Sequence, residues 1–331
     1  MRKVSSMIAE KQARLQTCSR PMWRALILGC VVACISAALS IPAGAESDQS
    51  LAWCKGDADP TLEQQIGACT ALIEAKSGEA RTRALNYFRR AGAYLQQQDF
   101  DKAISDFGDG LAIDAGNAAA YYGRAIAYEA KKDTDRAIAD YDAAIKFDPD
   151  NVKALSNRAA IYADMRAYER ALEDNNRVVE LAPDQAAGYV GRGLTYARRG
   201  DFEYALRDFD RAIALDAKSA IAYFNRGRVY FSKGDVERAI EDYGAAIDIG
   251  PKNASAFENR GFAYLSQGQI DKAIADYNAA LELDAKRATA LYGRGTAKLK
   301  KGDTSGADDI AAAKAIKPDI AGVFEQSGVQ R

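Results

Sequence analysis

Seven arginines recur at a constant spacing, one at every thirty-fourth position: Arg90, Arg124, Arg158, Arg192, Arg226, Arg260 and Arg294. Each has an aspartate downstream, Asp106, Asp140, Asp174, Asp208, Asp242, Asp276 and Asp309, sixteen residues on in six cases and fifteen in the last. A guanidinium repeated on a regular segment has two uses. It can line a face that binds anions, or it can meet a carboxylate of the chain itself through two parallel hydrogen bonds. Equal numbers and strict co-occurrence favour the second use, so the Arg–Asp pairs are assigned to the scaffold.

Other chemistry is narrowed by what the chain lacks. It contains no histidine, which removes Ser–His–Asp and Cys–His nucleophiles and imidazole metal ligation together. No G-x-x-x-x-G-K-[ST] or G-x-G-x-x-G occurs, and Gly191/Gly193 and Gly293/Gly295 are bare G-x-G pairs inside expected helices. Neither a metal nor a cofactor is implied. The 46 acidic residues leave one enzymatic alternative, a carboxylate-based envelope glycan enzyme with two carboxylates about 5–10 Å apart.

Residues 1–24 carry six basic side chains, Arg2, Lys3, Lys11, Arg14, Arg20 and Arg24, against the single acid Glu10. An apolar run from Ala25 to Ile41 follows, then Ala43-Gly44-Ala45. That order matches a secretory signal peptide cut after Ala45, with Met22 as an alternative start. An uncleaved inner-membrane anchor facing the periplasm is the competing expectation, because the apolar run is only slightly short of a span of about 20 residues. Lipidation at Cys34 is a third. Beyond residue 45 the chain keeps 39 basic and 45 acidic residues, a balance unsuited to nucleic acid or anionic lipid. Membrane contact is expected only through an uncleaved leader. Cys54 and Cys69 are the only cysteines past the leader, and in an oxidising compartment two such residues form one disulfide. The expected location is therefore the periplasm or outside the cell.

The elements that position the arginines follow from the same period. Cut at that period from residue 84 onward, the chain has alanine at position 20 seven times, ending at Ala307. Position 8 is always alanine or glycine, and position 11 is tyrosine six times. Small residues at 8 and 20 let two helices approach closely, and aromatics at 4, 11 and 24 fill the space around them. Gly200, Gly234, Gly268 and Gly302 at position 15 suit a left-handed turn after the first helix. Pro149, Pro183 and Pro251 mark the break before the next repeat. The seventh repeat keeps its register if one residue is missing after Ala307.

This pattern resembles the tetratricopeptide repeat family, in which a unit of the same length folds as two antiparallel helices with small residues at 8, 20 and 27. The resemblance covers residues 84–318 and implies an all-α fold, a right-handed α-solenoid of seven helix pairs with N- and C-terminal caps. Residues 46–83 are expected to be a capping half repeat, with Asp59 as N-cap of its helix, Pro60 after it, and a short Trp53-Cys54 segment tied on by the disulfide. Residues 319–331 are expected to form a C-terminal capping helix and tail, where Ile320, Val323 and Phe324 cover the exposed end of the stack.

Family members bind ligands on an inner groove formed by positions 2, 5, 9, 12 and 13, which do not include the arginine position. Carried onto this chain, the groove comprises Phe88, Tyr122, Ile126, Val190, Leu194, Phe224, Arg228, Phe231, Glu258, Phe262, Leu265 and Tyr292, with Asn157, Asn225 and Asn259 at position 6 facing a peptide backbone. The large apolar residues mark a binding surface. No repeat has the lysine at 5 or asparagine at 9 that the chaperone-tail clamp requires. The resemblance therefore implies a non-catalytic scaffold that binds a protein or extended peptide. A self-associating structural role is the other alternative. Glu129 and Glu258, the groove glutamates available to an enzyme, stand four repeats apart.

Overall fold

The computed structural model describes residues 43–57 and 59–326, and every regular element among them is an α-helix. Two helices come first, α1 (Ala43–Lys55) and α2 (Leu62–Glu74). Seven pairs follow: α3 (Ala80–Gln96) with α4 (Phe100–Ile113), α5 (Ala118–Ala130) with α6 (Thr134–Phe147), α7 (Val152–Asp164) with α8 (Tyr168–Leu181), and α9 (Ala186–Arg199) with α10 (Phe202–Leu215). The series continues with α11 (Ala220–Ser232) and α12 (Val236–Ile249), α13 (Ala254–Ser266) and α14 (Ile270–Leu283), and α15 (Ala288–Lys300) and α16 (Gly306–Ile316). The short α17 (Ile320–Gln326) comes last. The expected leader lies outside the described residues except for Ala43, Gly44 and Ala45, which begin α1. No described helix is long and apolar enough to cross a membrane.

Local chemistry starts and stops the helices. Asn117, Asn151 and Asn253 cap α5, α7 and α13 by accepting the backbone N–H three residues on, and Asp99, Asp133 and Asp235 do the same for α4, α6 and α12. After each odd-numbered helix from α3 to α15 the chain turns through a left-handed residue. It is Gly200, Gly234, Gly268 and Gly302 in the later repeats, but Gln98, Lys132 and Arg166 in the first three, with φ of 60–61°. Small residues then let the pairs close. The position-20 alanines from Ala103 to Ala273 are fully buried, and Tyr141, Phe209, Tyr243 and Tyr277 fill the space beside them. Burying one such ring contributes about 2–3 kcal/mol.

Each helix from α2 to α16 packs on its neighbours in the chain. Odd-numbered helices also touch one another, α3 with α5, α7 with α9, α9 with α11, α11 with α13, and α13 with α15. Successive even-numbered helices show no comparable packing among the described residues. The odd helices therefore form the inner, concave layer of a solenoid in which contacts stay between adjacent repeats.

Three expectations are corrected. The segment before α2 is a 13-residue helix rather than a short strap, and its Leu51, Trp53 and Cys54 pack with Ala68, Cys69 and Leu72 of α2. The N-cap of α2 is Thr61, not Asp59. Its hydroxyl accepts the Gln64 N–H at 3.2 Å while the Gln64 side chain accepts the Thr61 N–H at 2.9 Å, a reciprocal cap that leaves Pro60 outside the helix. In the last pair the residue against α15 is Gly306, not the exposed Ala307. A Cβ on Gly306 would stand 2.4 Å from the Gly295 carbonyl oxygen, so only glycine permits this approach. The missing residue thus falls before Gly306, and α16 starts late, with 11 residues against 14 in α14.

Candidate functional site

The Arg–Asp pairs sit between the two helices of each repeat. In all seven, Nε and Nη2 of the arginine donate to the two oxygens of one carboxylate at 2.6–2.9 Å. The carboxylates belong to the core: all seven aspartates are buried. The third nitrogen does something the sequence pattern did not reveal. Nη1 of Arg158, Arg192, Arg226 and Arg294 donates to Asp142, Asn176, Asp210 and Asn278 of the preceding repeat, at 2.5, 3.0, 2.7 and 2.9 Å. Arg90 reaches Thr70 of α2 at 2.9 Å. Gly108 and Gly244 stand opposite Arg124 and Arg260, where the tie is not made. In the sequence the partner stands sixteen before the arginine in these four repeats, but Asp, Asn and Gly alternate at that place, so no single residue type marks it.

Charge settles around these contacts. The Arg226 guanidinium is held above its ordinary value first by the hydrogen bond to Asp242, against the effect of burial, and then by Asp210. At Asp309 burial acts to raise the carboxyl, yet hydrogen bonds from Arg294 and Lys298 overcome it and keep the group below its ordinary value. What these arginines face is the chain itself.

The inner layer is more varied. Phe88 and Tyr122 are half-buried and lean on Phe107 and Tyr141, with ring centroids 6.5 and 6.0 Å apart. Ile126 and Leu194 are also half-buried. Leu194 helps to line a cavity of about 220 Å³ between α9 and α11, whose walls include Phe202, Arg198, Arg228 and Ser232. Phe224 rests on Tyr243 at 5.9 Å, and the exposed Arg228 places its guanidinium over the Phe224 ring at 6.0 Å. Phe231 meets Phe262 edge-on at 5.4 Å.

Several expected groove residues are committed elsewhere. Val190, Asn225, Leu265 and Tyr292 are buried. The asparagine amides are engaged within the chain: Asn225 donates to the Ile221 carbonyl at 2.8 Å and Asn259 to the Ser255 carbonyl at 2.7 Å. Asn157 donates to the Tyr141 hydroxyl at 3.0 Å, and that hydroxyl donates to Glu129 at 2.8 Å. Burial, the largest influence on Tyr141, pushes its hydroxyl well above the ordinary tyrosine range. Glu258 accepts from Arg287 and Thr289, each at 2.6 Å. The destination of α17 is also not legible from position alone. Its Phe324 ring stands 5.1 Å from Phe262 and 5.0 Å from Tyr292, so the C-terminal helix reaches the inner layer as well as the end of the stack.

At the other end, Cys54 of α1 and Cys69 of α2 stand side by side, with Cα atoms 4.7 Å apart. No group of three or more metal-ligating side chains gathers among the described residues.

Family models described as TPR repeat match residues 227–268 and 263–302. Two described as tetratricopeptide repeat match 159–224 and, in the other case, 88–152 and 122–186. A tetratricopeptide repeat protein from Parabacteroides merdae superposes with a TM-score of 0.61 at 20% identity, over 76% of this chain and 99% of its own. The APC/C hetero-tetramer Cut9–Hcn1 gives 0.59 at 17% identity, over 86% of this chain but only 55% of that one. At such identities the likeness is one of fold. MamA is 32% identical over 52% of this chain and 93% of its own, with a TM-score of 0.44. No curated protein sequence matches this chain.

Proposed function

The chain belongs to the tetratricopeptide repeat family, and on that premise we propose that it is a non-catalytic scaffold of the cell envelope, holding a protein or peptide on its concave face. The observation that carries this reading is the aromatic row on the inner layer. Phe224 and Phe231 on α11 and Phe262 on α13 are half-buried on the layer where polar residues would cost nothing. Aromatic surface of that kind is characteristic of interaction sites and supplies most of their energy. The cavity beside Leu194 continues the same surface toward the N-terminus.

The envelope location rests on the basic and apolar leader of residues 1–45 and on Cys54 and Cys69. A disulfide closing a 15-residue loop contributes roughly 3 kcal/mol where an oxidising compartment maintains it. The absence of catalysis is supported by the engagement of the groove glutamates. Glu258 is neutralised by Arg287, and Glu129, four repeats from Glu258, accepts the hydroxyl of Tyr141 in its own repeat.

The test is a crosslinking pull-down from envelope extract, comparing the wild-type chain with Phe224→Ala/Phe231→Ala/Phe262→Ala, each checked by far-UV circular dichroism. A partner captured by the wild type and lost from the folded variant supports the groove. Equal capture moves binding off the concave face. Concentration-dependent mass with no partner captured favours self-assembly.

A further inference from the structure

The concave face carries, at its C-terminal end, an occupant from the chain itself. α17 packs on α15 and α16. Its Ile320 is fully buried and Phe324 is 5% exposed. A helix that only closed the stack would need no contact beyond the last repeat. Phe324 instead reaches back to Phe262 on α13, meeting it edge-on, while its other side faces Tyr292 on α15. Phe262 already meets Phe231 of α11 edge-on. Helices α11, α13 and α15 thus contribute three rings to one row, and Phe324 completes it as the fourth. Seven residues are too few to hold a helix in water alone. It is these contacts that hold α17.

We propose that α17 is a resident ligand of the groove, and that a partner protein docks by displacing it. The seat formed by α13, α15 and α16 recognises a short amphipathic helix with a branched aliphatic residue and, four positions later, an aromatic one, as Ile320 and Phe324 stand here. This inference rests on the groove reading above and names the chemistry of its ligand. The occupant is a foreign helix rather than the α17 of a second copy. A tethered segment acts at an effective concentration in the millimolar range, and an identical α17 from another chain would gain no new contact by exchange. A longer foreign helix does gain one. Beside Tyr292 lies a cavity of about 480 Å³ walled by Leu299, Ala307 and Ile310, with Lys300 and Lys314 also lining it. That site favours further apolar residues and an acidic flank on the incoming helix.

The probe is a fluorescein-labelled peptide of residues 317–331, titrated with the full wild-type chain and with full-length Ile320→Ala/Phe324→Ala, followed by anisotropy. The double variant is expected to bind it at least about tenfold more tightly than the wild type, since the tethered competitor no longer fills the seat. The same peptide carrying Phe324→Ala is expected to bind neither chain. Equal binding by both chains, or binding by neither, overturns the proposal and leaves α17 as a cap. A dimer formed by the wild type but not by the double variant, measured by sedimentation, would give the seat to a second copy and overturn it too. Should the double variant lose helical content, Phe324→Ala alone is titrated against the same expectations. Peptide binding without any envelope partner would remove the scaffold reading and keep the seat. A groove-dependent partner without peptide binding would do the reverse.

Discussion

Arg226 grips Asp242 through two parallel hydrogen bonds of 2.8 and 2.7 Å, and its remaining Nη1 crosses to Asp210 of the preceding repeat at 2.7 Å. One side chain therefore sets the register of a helix pair and the spacing between two pairs. Removing Arg226 leaves the buried Asp242 carboxylate unpaired, and removing Asp242 leaves two partly buried guanidinium donors without their acceptor. Arg226→Ala and Asp242→Ala are each expected to lose about 3–5 kcal/mol, and Arg226→Met/Asp242→Leu to lose much less. Arg226→Lys keeps the charge but loses the fork, so it is expected to fall between them. Urea unfolding followed by circular dichroism measures all four. Single variants within about 0.5 kcal/mol of wild type would contradict the assignment.

Where the inter-repeat tie is missing, it can be supplied. A Cβ on Gly244 would stand 3.5 Å from Nη1 of Arg260, an ordinary contact. Gly244→Asp is expected to add about 1 kcal/mol at low salt, part of it from helix propensity and part from the new ion pair. In 1 M salt the ion-pair part is screened. Gly244→Ala should show a salt-independent gain, so thermal melts at two salt concentrations separate the contributions.

The three early repeats carry a second correctable feature. Arg166 has φ of 60°, at the position where Gly200, Gly234, Gly268 and Gly302 stand in later repeats. A residue with a Cβ gives up about 1 kcal/mol in that conformation. Arg166→Gly is expected to stabilise the chain by about 0.5–1 kcal/mol and Gly234→Ala to destabilise it by a similar amount, both read from urea midpoints.

Stability should be flat across neutral pH and fall in acid. The chain has no histidine, so no side chain with an ordinary value titrates between about pH 5 and 8. Asp309 sits below its ordinary value in the folded chain through Arg294 and Lys298. A depressed carboxyl contributes stability that is present above its unfolded value and lost as pH falls through the folded one. Midpoints in urea are therefore expected to hold constant from about pH 5 to 8 and to drop below about pH 4. A transition near pH 6 would show that another group controls folding.

Much of the fold was legible because it repeats. A residue such as Ala205 or Ala239 recurs at a fixed place only if each repeat packs as its neighbours do, and seven copies of one pattern specify a helix pair without any tertiary information. What escaped was whatever varies between copies or lies outside them. The residue that faces the arginine from the preceding repeat varies among Asp142, Asn176, Asp210 and Gly244, so no single residue type announced the tie. Asn225 and Asn259 occupy equivalent places on the inner layer, yet their amides reach back to their own helices, which spacing cannot show. In the last pair two alternatives one residue apart, Gly306 and Ala307, preserve the same downstream register. Only the approach of Gly306 to Gly295 separates them. Phe324 was visible as part of an amphipathic turn, but amphipathicity gives a face and not its destination.

The most direct test of the groove places a photocrosslinker on each layer of the solenoid in turn. p-Benzoylphenylalanine would replace Leu194 on the inner α9 in one chain and the exposed Tyr204 on the outer α10 in another. Both chains would be irradiated in cells, and the crosslinked bands identified. Crosslinks to a protein partner from position 194, with none from 204, are the expected result. Partner bands from 204 alone would put binding on the outer layer and contradict a concave-face scaffold.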